Sequence, residues 1–175
     1  KVGNGLHEGV DMGPAVDQAQ LDTDLEYVKI AQDEGARLLT GGKRLSDGAL
    51  EKGFFMEPAV FSGVKPAMRI HQEEVFGPVI AICVYDRVDD AIAIANDSPL
   101  GLQAGIFTAR TDLAMAWARR LDFGGVVINE TPTFRADQQP YGGTRGSGEA
   151  REGPAAAAME MTRAKLVIAR IPDGE

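Results

Sequence analysis

Two carboxylates stand side by side at Glu73 and Glu74, directly ahead of a Phe76-Gly77-Pro78 corner and the apolar run VIAICVY. Paired acids can share general acid and general base work, or accept hydrogen bonds from a ligand's hydroxyls, as carboxylates do with ribose diols. In extended backbone, neighbouring side chains point to opposite faces, so at most one of the two reaches any given site. Two solvated acids at a loop edge are the plainer reading. The only cysteine, Cys83, lies inside the apolar run between Ile82 and Val84. Apolar surroundings raise a thiol's pKa and limit access, so Cys83 reads as inert rather than as a nucleophile. His7 and His71 have no Ser, Cys or Asp partner at a recognised spacing and read as surface residues. One cysteine and two separated histidines supply no ligand set, so no metal is expected.

A second candidate is PYGGTRGSGEAREG, residues 140–153, which follows the apolar segment GVVIN. In open α/β sheets ligands meet the loops at the carboxyl ends of strands. Gly142, Gly143, Gly146 and Gly148 allow close backbone approach, which suits the wall of a ligand site and equally suits a flexible turn. It is not a phosphate loop, because neither G-x-x-x-x-G-K-[ST] nor a strand–GxGxxG–helix unit occurs.

The elements that must position these residues follow from spacing. After a Gly- and Pro-rich lead-in, Asp17 offers an N-cap, and Leu21, Leu25, Val28 and Ala31 recur at helical spacing until Gly35. ARLLTGG reads as a strand, 43–53 as a polar loop, and FFMEPAVFSGV as an extended segment that Pro58 makes irregular or an edge. A strand over 79–85 and a helix over 88–96 capped by Asp86 come next. They are followed by a strand at GLQAGIFT, a helix over 111–122 with Leu113, Ala116, Trp117 and Leu121 inward, and a strand at GVVIN. The tryptophan and the methionines read as core. A long Gly-rich loop over 130–153, a short helix over 155–161 and a last strand KLVIARI close the chain. Alternating strands and helices predict an α/β fold with a mostly parallel sheet flanked by helices. No repeat and no linker divides it.

Composition excludes several classes. With 26 acidic against 18 basic residues the net charge is −8, which disfavours nucleic-acid binding. No apolar stretch approaches the roughly 18 residues of a membrane helix, so no membrane role is expected. A lone cysteine suits a cytoplasmic setting. The first residue is Lys1 rather than Met, which suggests a processed product or an excised piece.

Four segments together resemble the NAD(P)-dependent aldehyde dehydrogenase superfamily, in the C-terminal part of its catalytic domain. VGNGLHEGVDMGPAV is similar to V-G-[DN]-P…G-x-x-M-G-P, and HQEEVFGPVIAI to Q-E-E-x-F-G-P-V. AIAIANDSPLGLQAGIFT resembles A-I-x-x-A-N-x-x-x-Y-G-L-x-A-x-[VI]-F-T. GGVVINETPTFRADQQPYGGTRGSGEAREG resembles G-x-V-x-[VI]-N…P-[FY]-G-G-x-K-x-S-G-x-G-R-E. Ala150, Arg145 and Leu100 stand where the family usually has Gly, Lys and Tyr. The match runs in order over essentially the whole chain.

The resemblance implies a truncated aldehyde dehydrogenase catalytic domain and a parent enzyme that oxidises an aldehyde to a carboxylic acid with NAD or NADP. That reaction runs through a thiohemiacetal on a cysteine thiolate. It implies that Glu74 hydrogen-bonds the nicotinamide ribose, that Phe76 packs beside the nicotinamide, and that Pro140, Tyr141, Gly142 and Gly143 line or support the aldehyde tunnel. Asn129 becomes a structural residue at its strand end. The nucleophile, the oxyanion-hole Asn and the general base belong to segments that would precede Lys1. No catalytic residue is therefore expected here, and the chain alone is expected to be inactive. TPTFRADQQPYGG is closest to branches acting on lactaldehyde or phosphonoacetaldehyde, where Arg135 would hold an anionic substrate. Facing solvent or a neighbouring subunit is the alternative for Arg135. Residues 165–171 correspond to the family's intersubunit strand, which implies a homo-oligomer with small aldehydes as substrates. The rival reading is a stand-alone, non-catalytic partner-binding or oligomerisation module. Sequence upstream of Lys1 discriminates the two.

Overall fold

The computed structural model describes residues 1–170, and the chain divides into two compact units, Lys1–Ser98 and Pro99 onward. Apart from Pro99 nothing in the sequence marks the division.

The first unit opens with an irregular lead-in and helix α1 (Gln18–Asp33). Asp17 sits in extended backbone and accepts the Gln20 amide at 2.9 Å, satisfying a donor that the helix start leaves without an intrahelical partner. Leu21, Asp24, Val28 and Ala31 form its buried face. Strands β1 (Arg37–Thr40), β2 (Arg44–Leu45), β3 (Phe55–Met56) and β4 (Ala59–Ser62) follow, then the single-turn helix α2 (Arg69–Gln72), strand β5 (Val79–Ile82) and helix α3 (Val88–Asn96). β1, β4 and β5 form one sheet in that order, antiparallel at β1–β4 and parallel at β4–β5, where Ala59 faces Val79 and Ser62 faces Ile82. Ala59 and Phe61 of the central strand are fully buried with Leu21 and Ala31. Burying a Phe ring contributes about 2–3 kcal/mol.

Several expectations for this unit change. Residues 43–53 are not all loop, because Arg44–Leu45 pair with Phe55–Met56 as a short hairpin. Pro58 lies between β3 and β4, yet the strand after it is central. It precedes the first paired residue, and the ladder bond there comes from the Ala59 amide to the Pro78 carbonyl, so no donor is lost. β5 stops at Ile82, and Ile80, Ile82 and Val84 are exposed, because β5 pairs with β4 alone among the described strands. α3 spans the expected residues, but Arg87 is its N-cap and makes no side-chain capping bond.

The second unit contains β6 (Leu100–Gly101), β7 (Gln103–Ile106), α4 (Thr111–Ala118), β8 (Gly125–Ile128), β9 (Thr144–Arg145) and α5 (Pro154–Glu160). β7 and β8 pair in parallel from Gln103↔Gly125 to Ile106↔Ile128, with α4 in the connection, as a β-α-β crossover requires. β6 pairs antiparallel with β9. Ala114 rather than Ala116 is the buried residue of α4, and the helix stops at Ala118 instead of running on to 122. Met115, Met159 and Met161 are exposed rather than core. The expected last strand is absent over residues 163–170, where Leu166, Val167 and Ile168 are exposed and pair with no other strand among the described residues. Ile171 lies outside the described residues. No helix among the described residues is long and apolar enough to cross a membrane.

Candidate functional site

In the first unit the candidate site is the segment that carries the chain from α2 into β5. Glu73 caps α2, and its carboxylate accepts Arg69 Nε at 2.9 Å, Arg69 Nη2 at 2.8 Å and the Tyr27 hydroxyl. The Arg69 guanidinium, then the Tyr27 hydroxyl, hold its carboxyl below the usual carboxylate range, and Glu73 in turn pushes the Tyr27 phenol up. Glu74 is exposed and has no hydrogen bond or ion pair with any described residue. The two acids thus divide as extended backbone requires, one anchored and one free.

Phe76 is the next projecting residue, 80% exposed, with φ at 60°. A non-glycine residue in the left-handed region costs about 1–2 kcal/mol and persists only where its surroundings fix it. Those surroundings are visible. Gln20 Nε2 donates to the Val75 carbonyl at 3.1 Å and to Asp24 Oδ1 at 2.6 Å. Asp24 is 1% exposed and lies so close over Gly77 that a Cβ there would sit 2.0 Å from its Oδ1. Only glycine fits. Burial pushes the Asp24 carboxyl up, and its Oδ2 has no hydrogen-bond partner among the described residues. A cavity of about 290 Å³ opens beside them, walled by Met12, Pro14, Met56, Phe76 and Pro78. The lead-in and α1 therefore contribute to this site, which sequence spacing did not reveal. The available signal was an acid, Asp24, on the apolar face of α1.

Cys83 is half-buried against the core, and burial raises its thiol as expected. His71 departs from its surface reading. Its ring is half-buried, with Nδ1 3.8 Å from Cys83 Sγ and Nε2 buried without a partner. The spacing of 71 and 83 gave no hint of this contact, which β5 creates by carrying Cys83 back past α2. Among the described residues no three His, Cys, Asp or Glu side chains gather as a metal site would need.

In the second unit a separate candidate is the Gly-rich loop, which leaves the carboxyl end of the parallel strand β8. Asn129, at φ 59°, turns the chain there, and its Oδ1 accepts the Thr108 amide at 2.8 Å, tying together the segments that leave β7 and β8. The loop is closed by reciprocal backbone bonds between Tyr141 and Glu152, at 3.1 and 2.7 Å. Arg135 joins the same junction. Its guanidinium lies 4.4 Å from the centre of the Tyr141 ring and donates to Glu152. The two residues expected near the substrate are thus in contact, although Arg135 already has an acidic partner. Close packing makes Gly124 obligatory, since a Cβ there would lie 1.8 Å from the Gly142 carbonyl oxygen. Ala150 needs no glycine, because the positive-φ positions of this loop fall on Arg145, Gly148 and Gly153.

This is the α/β class in which loops after parallel strands meet ligands. The family model described as the aldehyde dehydrogenase family matches residues 1–167, and the chain belongs to that family. A 3-sulfolactaldehyde dehydrogenase of Priestia aryabhattai is 41% identical over 167 residues, covering 95% of this chain and 34% of that protein. An alpha-ketoglutaric semialdehyde dehydrogenase of Bacillus subtilis is 39% identical over 170 residues, covering 97% and 35%. Among solved structures, an aldehyde dehydrogenase of Mycobacterium tuberculosis complexed with NAD+ aligns with a TM-score of 0.91 at 34% identity, covering 99% of this chain and 35% of that one. Betaine aldehyde dehydrogenase of Staphylococcus aureus in complex with NAD+ gives 0.87 at 36%, covering 91% and 32%. The chain spans about a third of the length of these relatives.

Proposed function

We propose that the chain is the part of an NAD- or NADP-dependent aldehyde dehydrogenase that grips the nicotinamide end of the cofactor and lines the substrate entrance. The observation that carries this reading is the split between the two acids. Glu73 is held by Arg69 and Tyr27, while Glu74 is exposed, without a partner among the described residues, and followed two residues later by an exposed aromatic on a fixed turn. A free carboxylate suits a ribose diol, and an aromatic face beside it suits a flat heterocycle. The bound dinucleotide would supply the hydride acceptor. Glu74 would accept the two ribose hydroxyls and Phe76 would limit where the ring lies, so both residues orient and neither exchanges a proton.

Nucleophilic attack belongs to a cysteine outside this chain, because Cys83 is half-buried against the core, where burial raises its thiol, and the chain has no other cysteine. The chain alone should therefore be inactive. Tyr141 and Arg135 would form the substrate side. Two relatives are named for aldehydes that carry an acidic group, and an Arg whose guanidinium retains free N–H donors beside Glu152 suits an anionic aldehyde. Leu166, Val167 and Ile168 would pair with a second copy, and a monodisperse monomer at high concentration counts against that.

The test of the cofactor reading is Glu74→Gln in the parent reading frame. The KM for NAD+ or NADP+ should rise about tenfold, as loss of a charge-assisted contact predicts. An unchanged cofactor KM would refute it.

A further inference from the structure

We infer that Gln20, Asp24 and Tyr27 on α1 are positioning residues that set the cofactor-facing pose of Glu74 and Phe76. The inference rests on the reading of those two residues as cofactor contacts. The three residues stand at i, i+4 and i+7, so they project from one helical stripe along the flank of the buried face. Each meets a different residue of the turn, and the residues met alternate. Tyr27 donates to the Glu73 carboxylate, Gln20 donates to the Val75 carbonyl at 3.1 Å, and Asp24 lies against Gly77. Val75 is also packed against the core. Residues 73, 75 and 77 are thereby fixed to the helix, and the intervening Glu74 and Phe76 are left pointing away, both exposed. Period-two alternation alone cannot hold a single-stranded turn, least of all one with a phenylalanine at φ 60°. The stripe supplies what the turn lacks. Gln20 links two of the three points, since the same amide nitrogen reaches Asp24 and Val75. Leu or Phe at these positions would keep the helix and its apolar face while releasing the turn.

The test is a double-mutant cycle in the whole parent protein, with dissociation constants for NAD+ and NADP+ measured by calorimetry and the aldehyde KM alongside. Tyr27→Phe removes a single oxygen and retains the ring, so it serves if Gln20→Leu fails to fold. Each variant should weaken dinucleotide binding about fivefold, the change corresponding to one net hydrogen bond, and leave the aldehyde KM within twofold. In a Glu74→Ala background the loss caused by either variant should shrink, because the stripe acts in part through Glu74. Unchanged affinity in the single variants, or an undiminished fivefold loss on top of Glu74→Ala, overturns the positioning role while leaving the cofactor reading in place. If Glu74→Ala binds as the wild type does, or neither dinucleotide binds the wild type, the cofactor reading falls and this inference falls with it.

Discussion

Replacing Asp24 by Asn should make the protein more stable at neutral pH. Asp24 is 1% exposed, one of its oxygens has no partner, and burial raises its pKa. An ionised carboxylate in that position leaves a charged acceptor unsatisfied, at a cost of about 1–3 kcal/mol. Asn keeps the shape and the oxygen that accepts Gln20, and it carries no charge. Taking about 1–2 kcal/mol as the gain and a urea slope near 2 kcal/mol/M for a chain of this size, the unfolding midpoint at pH 8 should rise by roughly 0.5–1 M. The pH dependence has a definite sign. A folded-state pKa above the ordinary 3.8 means that the protonated side chain stabilises the fold below 3.8 and that this contribution is lost as pH rises through the folded value. Each unit between the two values is worth about 1.4 kcal/mol. The advantage of Asn should therefore shrink as pH is lowered and vanish near pH 3.8. Urea unfolding followed by circular dichroism at pH 4, 6 and 8 reads this directly. A variant less stable than wild type at pH 8, or a gain independent of pH, would refute the argument from a buried unpaired carboxylate.

Three further outcomes follow from packing and charge. Phe61→Ala empties a fully buried site on the central strand and should cost about 3–5 kcal/mol, measured by thermal unfolding. Gly124→Ala places a Cβ 1.8 Å from a carbonyl oxygen that cannot swing aside as a side chain would. It should destabilise the second unit by about 1–3 kcal/mol, read from Trp117 fluorescence in denaturant. Arg135→Ala in the parent enzyme should raise the KM of a carboxylate- or sulfonate-bearing aldehyde about tenfold and leave an uncharged aldehyde within twofold. Equal effects on both would remove Arg135 from substrate recognition.

The parts of the fold that were legible in the sequence are those specified by neighbours in the chain. α1 carries its own cap at Asp17 and its apolar spacing from Leu21 to Ala31, and α3 spans the residues its periodicity indicated. The short strands were not legible. Leu100–Gly101 are strand because Thr144 and Arg145, over forty residues away, pair with them, and two residues hold no periodicity of their own. The exposure of Ile80 and Ile82 was equally hidden, since an apolar run reads the same whether one neighbour strand or two lies beside it. At the site, the motif Glu73 to Pro78 announced itself through its residue types. Which acid is anchored and which is free depended on Arg69 and Tyr27, and Tyr27 lies 46 residues earlier in the chain. The cradle on α1 was invisible for the same reason, its partners being set by folding rather than by spacing.

The bridge between Tyr141 and Glu152 has a consequence for breakage of the chain. Residues 142–151 leave and return through one pair of backbone bonds, and Arg151 Nη1 ties the returning limb to the Gly143 carbonyl at 2.7 Å. The exposed stretch Gly148-Glu149-Ala150 is the natural target of a protease. A cut there opens the loop without separating its two stems. The nicked chain should run as two bands under denaturing conditions and as a single species under native ones, with Arg135 still resting on Tyr141.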